Sequence, residues 1–315
     1  MNNYSWSLTP NITQLLIEIE SLKLVFNNFS VKPHFELNFR RHSLLKSAVY
    51  SARVEGFTDT VDKPKKESQH LLSAYSFIYS PKAPQKLSLS LVRRFHQLVM
   101  KVSPTSVGWR QEPWAVFNQA GIAVYLAPPA MEVPELMDEF IVYLNKLKQH
   151  PVVISAVAQF IFEKIHPFAD GNGRVGRLIS SFILEKEGFG FRGLAPFEEY
   201  IEEHRPLYYL NLEPSTDCTA FIEFFLEALV FQLKKDISKI SQKDQELPED
   251  SLLPRRRELL SIIRDHPYCT FNFLERRFSA VNPKTLQYDV SQLLKAGFIR
   301  KLGKTRGASY QAIAI

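Results

Sequence analysis

What this 315-residue chain has little of already narrows its class. It has only two cysteines, Cys218 and Cys269. They stand far apart, in different expected structural units, and show no paired metal-ligand spacing. The sequence therefore argues against a disulfide scaffold, and a reducing, cytoplasmic setting is the simplest expectation. No uninterrupted apolar run reaches the roughly 18 residues that a spanning helix needs, so no membrane association is expected. Met1 to Thr9 lacks the basic and apolar stretches of a secretory signal. No internal repeat or low-complexity tract is visible.

What is present suits an ordinary globular protein. Apolar residues make up 45% of the chain, enough for a sizeable core in two or three structural units. The net charge of +6 is uneven. From Ser251 to Ile315 the chain carries twelve Lys/Arg against four Asp/Glu, an excess of +8 that leaves the other 250 residues at −2. That C-terminal basicity points to an acidic partner for that unit alone.

The densest chemistry lies between two apolar runs, from His166 to Arg177: His-Pro-Phe-Ala-Asp-Gly-Asn-Gly-Arg-Val-Gly-Arg. Gly171-Asn172-Gly173 can adopt strained dihedrals, so that backbone N–H groups converge ahead of a helix expected to start near Arg174, a setting that attracts phosphate. Arg174 and Arg177, three apart, share a helix face and can fork onto phosphate oxygens. Asp170 is a hard oxygen ligand beside that anion site, suited to Mg²⁺ shared with a nucleotide. His166 alone here has an ordinary pKa near neutrality, which makes it the candidate general base. A lone His-Pro or Gly-Asn-Gly turn is usually structural; the combination is the signal.

The string fits His-x-Phe-x-Asp-Gly-Asn-Gly-Arg-x-x-Arg at every specified position and resembles the motif of Fic domain proteins. The resemblance implies that His166 activates a target hydroxyl, Asp170 holds Mg²⁺, Gly171 to Gly173 cradle phosphates, and Arg174 and Arg177 bind the phosphate chain of ATP. Arg177 would reach the γ-phosphate. The implied reaction moves AMP onto a protein side chain, with pyrophosphate leaving. Self-modification, transfer of another nucleotide or phosphoryl group, and hydrolytic removal of AMP would use nearly the same residues.

The rest of the chain reads as mainly α. Helices are expected over Asn11–Phe29, Phe35–Glu55, a stretch ending before Ser80, Ser88–Val102, Glu132–Gln149, Val152–Ile165 and Leu178–Lys186. His96 reads as a packing or capping histidine. The second helix closes on Ser51-Ala-Arg-Val-Glu55-Gly56, which resembles the family's inhibitory Ser/Thr-x-x-x-Glu-Gly/Asn element. That resemblance implies a Glu55–Arg177 pair, with Ser51 steadying the helix end. Trp114–Phe117 and Ile122–Leu126 read as a β-hairpin. In the family this is the flap that captures an extended target, with Val116 and Phe117 as clamp candidates. Tyr209 and Leu212 resemble the adenine-lining pair, although Glu213 to Ala220 departs from the family's usual spacing.

Ser241–Asp250 reads as a polar linker. Beyond it, helices over Pro254–Asp265, Phe271–Phe278 and Pro283–Ala296 with a basic hairpin suggest a winged helix-turn-helix. Lys284, Thr285 and Gln287 would sit at its groove-reading turn, and Lys304 and Arg306 on the wing. The expected layout is N-terminal helices with the inhibitory element (1–56), a helical Fic core with a β-hairpin (57–240), a linker (241–253) and the winged helix (254–315). The expected function is a self-inhibited protein adenylyltransferase using ATP and Mg²⁺. A DNA-binding regulator or toxin-like module with a Fic core stays open, as do a nonenzymatic scaffold, a DNA or protein partner for the basic tail, and homo-oligomerisation.

Overall fold

Caps and breakers decide where the helices start and stop, and the structure, a computed structural model, follows them closely. It describes residues 4–28, 33–101, 108–117, 123–213, 216–242, 249, 252–303 and 307–313; the side chains of 33–35, 116, 117, 123, 124 and 240–242 are not described. Helices α1 (Pro10–Asn28), α2 (Pro33–Val54), α3 (Lys66–Ile78) and α4 (Leu89–Met100) open the chain. Ser88 caps α4, its hydroxyl accepting from Leu91 N at 3.3 Å, which satisfies one of the orphan donors at a helix start.

A hairpin follows, with β1 (Ala115–Phe117) antiparallel to β2 (Ala123–Leu126) and a register irregularity between Val116 and Phe117. The expected turn at Asn118–Gly121 lies outside the described residues. Helices α5 (Val133–Lys146), α6 (Pro151–Ile165) and α7 (Asn172–Lys186) come next, then α8 (Glu198–Glu203), α9 (Arg205–Asn211) and α10 (Thr219–Gln242).

Helix α6 is apolar on nearly every side, and it is buried on nearly every side. It packs against α7, which is also covered by α3 and α4, while α2 packs on α3 and α8. The loop between α6 and α7 thus leaves the most buried part of the fold and returns to it. Two short elements were not expected, α8 and the turn at Phe191–Gly193. Helix α10 continues through Gln242, past the expected linker start at Ser241.

The chain divides into two compact units, Met1–Ser238 and Lys239–Ile315. In the second, α11 (Pro254–Asp265), α12 (Phe271–Arg277) and α13 (Pro283–Lys295) surround a core that includes Leu259, Ile263, Leu274, Leu286 and Leu293. Asn282 caps α13, its side chain accepting from Lys284 N at 2.9 Å. A three-stranded antiparallel sheet completes this unit in the order β3 (Cys269–Thr270), β5 (Ser309–Ala312), β4 (Ile299–Leu302). Strand β3 was not expected: at two residues it has no periodicity to read and exists through its pairing with Tyr310 and Ser309. Lys284 and Gln287 are exposed on α13, while Lys304 and Arg306 lie outside the described residues.

Candidate active site

Helix α6 ends because His166 turns left-handed, at φ 49° and ψ 60°, while its N–H still bonds Phe162 O at 3.0 Å. An L-residue rarely adopts this region, and when it does the neighbours must hold it. Here they do. The buried Arg110 donates through Nε to His166 O at 2.8 Å, through Nη1 to Glu112 O at 3.0 Å and through Nη2 to Pro128 O at 2.5 Å. Its own N–H bonds Pro167 O at 2.8 Å.

The loop's far side is fixed by Asn172, whose Oδ1 accepts from Phe168 N at 2.9 Å and whose Nδ2 donates to Phe168 O at 2.7 Å. His96 stacks on Phe168 with centroids 3.9 Å apart, and its Nε2 lies 3.1 Å from the Asp170 carbonyl. The expected packing histidine is thus a wall of the motif loop.

Of Gly171, Asn172 and Gly173, only Gly171 has a positive φ, 86°. Helix α7 begins at Asn172 rather than near Arg174, so Gly173 is already helical. The first-turn N–H groups therefore form an ordinary helix N-terminus, itself an anion-attracting feature.

The His166 ring stacks on Trp114 at 3.4 Å, and its Nδ1 lies 4.0 Å from Glu163 Oε2. Burial pushes the imidazole down to about 4, with the Arg110 charge helping and the Glu163 backbone carbonyl opposing. At neutral pH the ring is uncharged and able to accept a proton. Asp170 is 69% exposed; its Oδ1 accepts from Gly171 N at 2.6 Å and from Arg174 Nη2 at 3.1 Å. Arg174 also approaches Met100 Sδ at 3.5 Å and lies over the Phe57 ring, and its buried Nε has no hydrogen-bond partner among the described residues.

Arg177 is fully buried. Its Nε donates to Ser51 Oγ at 2.9 Å, and its Nη2 donates to Ser51 O at 2.9 Å and to Glu55 Oε1 at 2.8 Å. Its Nη1 faces Tyr208 Oη at 3.5 Å. Burial opposes the guanidinium charge, but Glu55 and Tyr208 overcome it and push the pKa up. The sequence joined Glu55 to Arg177 through the family resemblance, and the pair is formed. Ser51 does more than steady a helix end: its hydroxyl and carbonyl both receive Arg177. The Glu55 carboxylate stands over Gly173, where a Cβ would collide with its Oε1.

Tyr209 is half exposed, and its hydroxyl donates to Val54 O at 3.1 Å, tying α9 to the end of α2. Leu212 follows α9 directly and is half buried. Val116 and Phe117 lie on β1, but their side chains are outside the described residues.

Sequence reasoning missed several groups. Tyr208, rather than Tyr209, points inward, where it receives Gln159 Nε2 at 3.0 Å. Trp114 and Arg110 reach the site from a distant stretch. Glu163 is largely buried beside His166, with its Oε1 fully so, and is pushed up to about 8, by burial first and then by Glu55. Its one signal was a lone carboxylate in a mostly apolar run.

Comparison with known proteins agrees with this geometry. Residues 86–184 match the model of the Fic/DOC family. A probable protein adenylyltransferase of Aquifex aeolicus is 26% identical over 175 residues, 51% of this chain and 53% of that protein. The protein adenylyltransferase Fic of Drosophila mojavensis is 29% identical over 136 residues, 42% of this chain and 26% of that protein. The match thus spans about half of the first relative and about a quarter of the second.

Among solved structures, a Fic family protein from Desulfovibrio desulfuricans superposes with a TM-score of 0.65 at 22% identity, covering 99% of this chain and 98% of that one. Fic-1 from C. elegans superposes with 0.59 at 18% identity, covering 73% of each. These share the fold. With its motif loop between α6 and α7 and its mainly helical architecture, the chain carries over residues 86–184 a region that matches the Fic/DOC family, and it shares the fold of the solved Fic structures.

Proposed function

We propose that this protein is a self-inhibited protein adenylyltransferase that moves AMP from ATP to a hydroxyl side chain of a protein, its own chain included. The observation that carries the reading is the pairing of Arg177 with Glu55 and Ser51 beside an intact catalytic loop. The adenylyltransferase names of the relatives supply the reaction class.

In the reaction, the target oxygen bonds the α-phosphorus, the bond from that phosphorus to the bridging oxygen breaks, and pyrophosphate leaves. The hydroxyl proton goes to His166, neutral at pH 7. Because Nδ1 faces Glu163, Nε2 is the nitrogen that takes it. The N-terminus of α7 and Arg174 bind the phosphates.

Among the described residues no three His, Cys, Asp or Glu side chains gather as a metal cluster. A lone exposed carboxylate fits Mg²⁺ that arrives with ATP, with phosphate oxygens and water filling the remaining positions. Asp170 would hold it, after yielding its contact with Arg174. Bound there, Mg²⁺ would neutralise charge building on the departing pyrophosphate.

Glu55 inhibits by occupying the Arg177 donor that the γ-phosphate would otherwise use, and by its negative charge over Gly173. Tyr209 and Leu212 line the base end, and β1 receives an extended target by strand addition. The C-terminal unit serves as a winged helix. Its excess of +8 and the exposed Lys284 and Gln287 favour a nucleic-acid partner for it.

The test is incubation with ATP labelled at the α-phosphate, followed by mass spectrometry of modified peptides. Glu55→Gly is expected to label itself or a target far more strongly than the parent, and Arg177→Ala in that background to abolish the gain. A folded Glu55→Gly variant no more active than the parent defeats self-inhibition. If it instead loses activity in removing AMP, the hydrolytic reading gains.

A further inference from the structure

Glu163 takes no proton in the reaction just described, yet its position is specific. It sits on the last turn of α6 facing α7. Its Oε1 is buried without a hydrogen-bond partner among the described residues, and its Oε2 lies 4.0 Å from His166 Nδ1. Room for it exists because residue 176 is glycine: a Cβ there would come within 2.7 Å of Oε1.

Gly173, three residues earlier, makes room for Glu55 in the same way. Residues three apart share a helix face. Two glycines thus admit two carboxyl groups along one side of α7, and Arg177 follows directly. An unpartnered buried carboxyl oxygen is expensive, and packing alone gives no reason for a glutamate here.

The charged and titratable groups acting around Glu163 among the described residues come from five elements or their ends. They are Glu55 at the end of α2, Arg177 on α7, Tyr208 on α9, Tyr125 on β2, and Lys164 and His166 beside it on α6. After burial, Glu55 is the largest influence keeping Glu163 protonated, and Arg177 and Lys164 oppose it. Removing Glu55 therefore removes a repulsion and leaves the attraction of Arg177.

We propose that Glu163 is a positioning residue that couples the Glu55–Arg177 pair to His166. It is a neutral acid while Glu55 is paired, and a carboxylate that supports the imidazolium once Glu55 leaves. The proton it gives up then passes to solvent, and the later proton on His166 comes from the target hydroxyl. Glu55 would thus restrain the enzyme twice, by blocking Arg177 and by keeping the general base weak. This inference rests on the adenylyltransferase reading, but its first test does not.

The test is an NMR titration of the His166 ring in the nucleotide-free full chain, comparing the parent, Glu55→Gly, and Glu55→Gly with Glu163→Gln. The parent midpoint should lie near 4. It should rise by about 1 to 3 pH units in Glu55→Gly, the usual effect of a carboxylate at this range, and fall back in the double variant.

The sign makes the comparison decisive. Loss of a nearby negative charge by itself lowers a histidine midpoint, so a rise must come through another group that ionises. An unchanged or lower midpoint in Glu55→Gly overturns the proposal, and so does an equal rise in the double variant. If the double variant fails to fold, the sign test on Glu55→Gly still stands.

As a second readout, adding Glu163→Gln to the Glu55→Gly background should reduce labelling more at pH 8 than at pH 6. Equal loss at both pH values would mean a merely structural role and would overturn the proposal. A midpoint shift without any labelling would sink the adenylyltransferase reading and leave the coupling intact.

Discussion

Glu55→Gly should weaken the protein when empty and restore it when nucleotide binds. The substitution removes one 2.8 Å charge-assisted bond to a fully buried guanidinium. Deleting one partner of a fully buried ion pair costs about 3 to 5 kcal/mol. Here the Glu55 side chain is 30% exposed, and the two Ser51 bonds to Arg177 remain. The helix itself loses little, since α2 ends at Val54. The expected loss is therefore about 1 to 2 kcal/mol, a discount for the solvent that already screens the pair.

A phosphate on Arg177 would replace the missing charge, so MgATP should raise the melting temperature of Glu55→Gly more than that of the parent. Differential scanning fluorimetry with and without MgATP reads both quantities. An unchanged melting temperature in the empty variant, or equal MgATP shifts in both proteins, would refute the claim that Glu55 and nucleotide compete for one guanidinium.

Other consequences are as direct. His166→Ala should lower labelling by about 10² to 10⁴, while circular dichroism shows a retained fold with a modest loss of stability from the lost stacking on Trp114. Asn172→Ala should destabilise the motif loop by about 1 to 3 kcal/mol, because the Phe168 N–H and C=O lose their partners; denaturant melts would show it. Glu163→Gln should stabilise the empty protein in a pH-dependent way. The folded carboxyl is raised to about 8, so its favourable contribution is complete below the ordinary glutamate range and is lost as pH rises toward 8. The advantage of glutamine should therefore be absent near pH 4 and greatest near pH 8; a difference that does not vary with pH would contradict this. Duplex DNA binding by the full chain should weaken steeply with salt, and a flat dependence would remove the electrostatic argument for the tail.

The helices were largely legible because their signals are local. Pro254 to Asp265 reads as a helix and is one, and Ser88 and Asn282 mark starts that the structure keeps. The motif loop was legible because its residue types are rare in combination. What escaped were relations across the chain. Arg110 and Trp114 meet His166 only through folding, and nothing in their own segment marks them.

Tyr208 and Tyr209 are adjacent and chemically alike; which one turns inward depends on how α9 is rotated against α6 and α10. Gly173 looked like loop glycine but is helical. Its absent side chain makes room for Glu55, a requirement set by a residue more than a hundred positions away. Pairing of Glu55 with Arg177 entered through family resemblance, not through spacing, and the bonds from Arg177 to Ser51 were not foreseen.

The same distance along the chain has a meaning in time. Arg177 and Glu55 are 122 residues apart, and Glu55 comes first. At roughly 5 to 20 residues per second, a ribosome makes Glu55 about 6 to 24 s before Arg177. The end of α2 is thus already made when the second arginine of the motif emerges, and no stage of synthesis exposes that arginine before its partner carboxylate exists. A partner carboxylate placed after the core would leave an interval in which the nascent motif loop could fold with Arg177 unpaired. With this order along the chain, Arg177 is never made without its Glu55 partner.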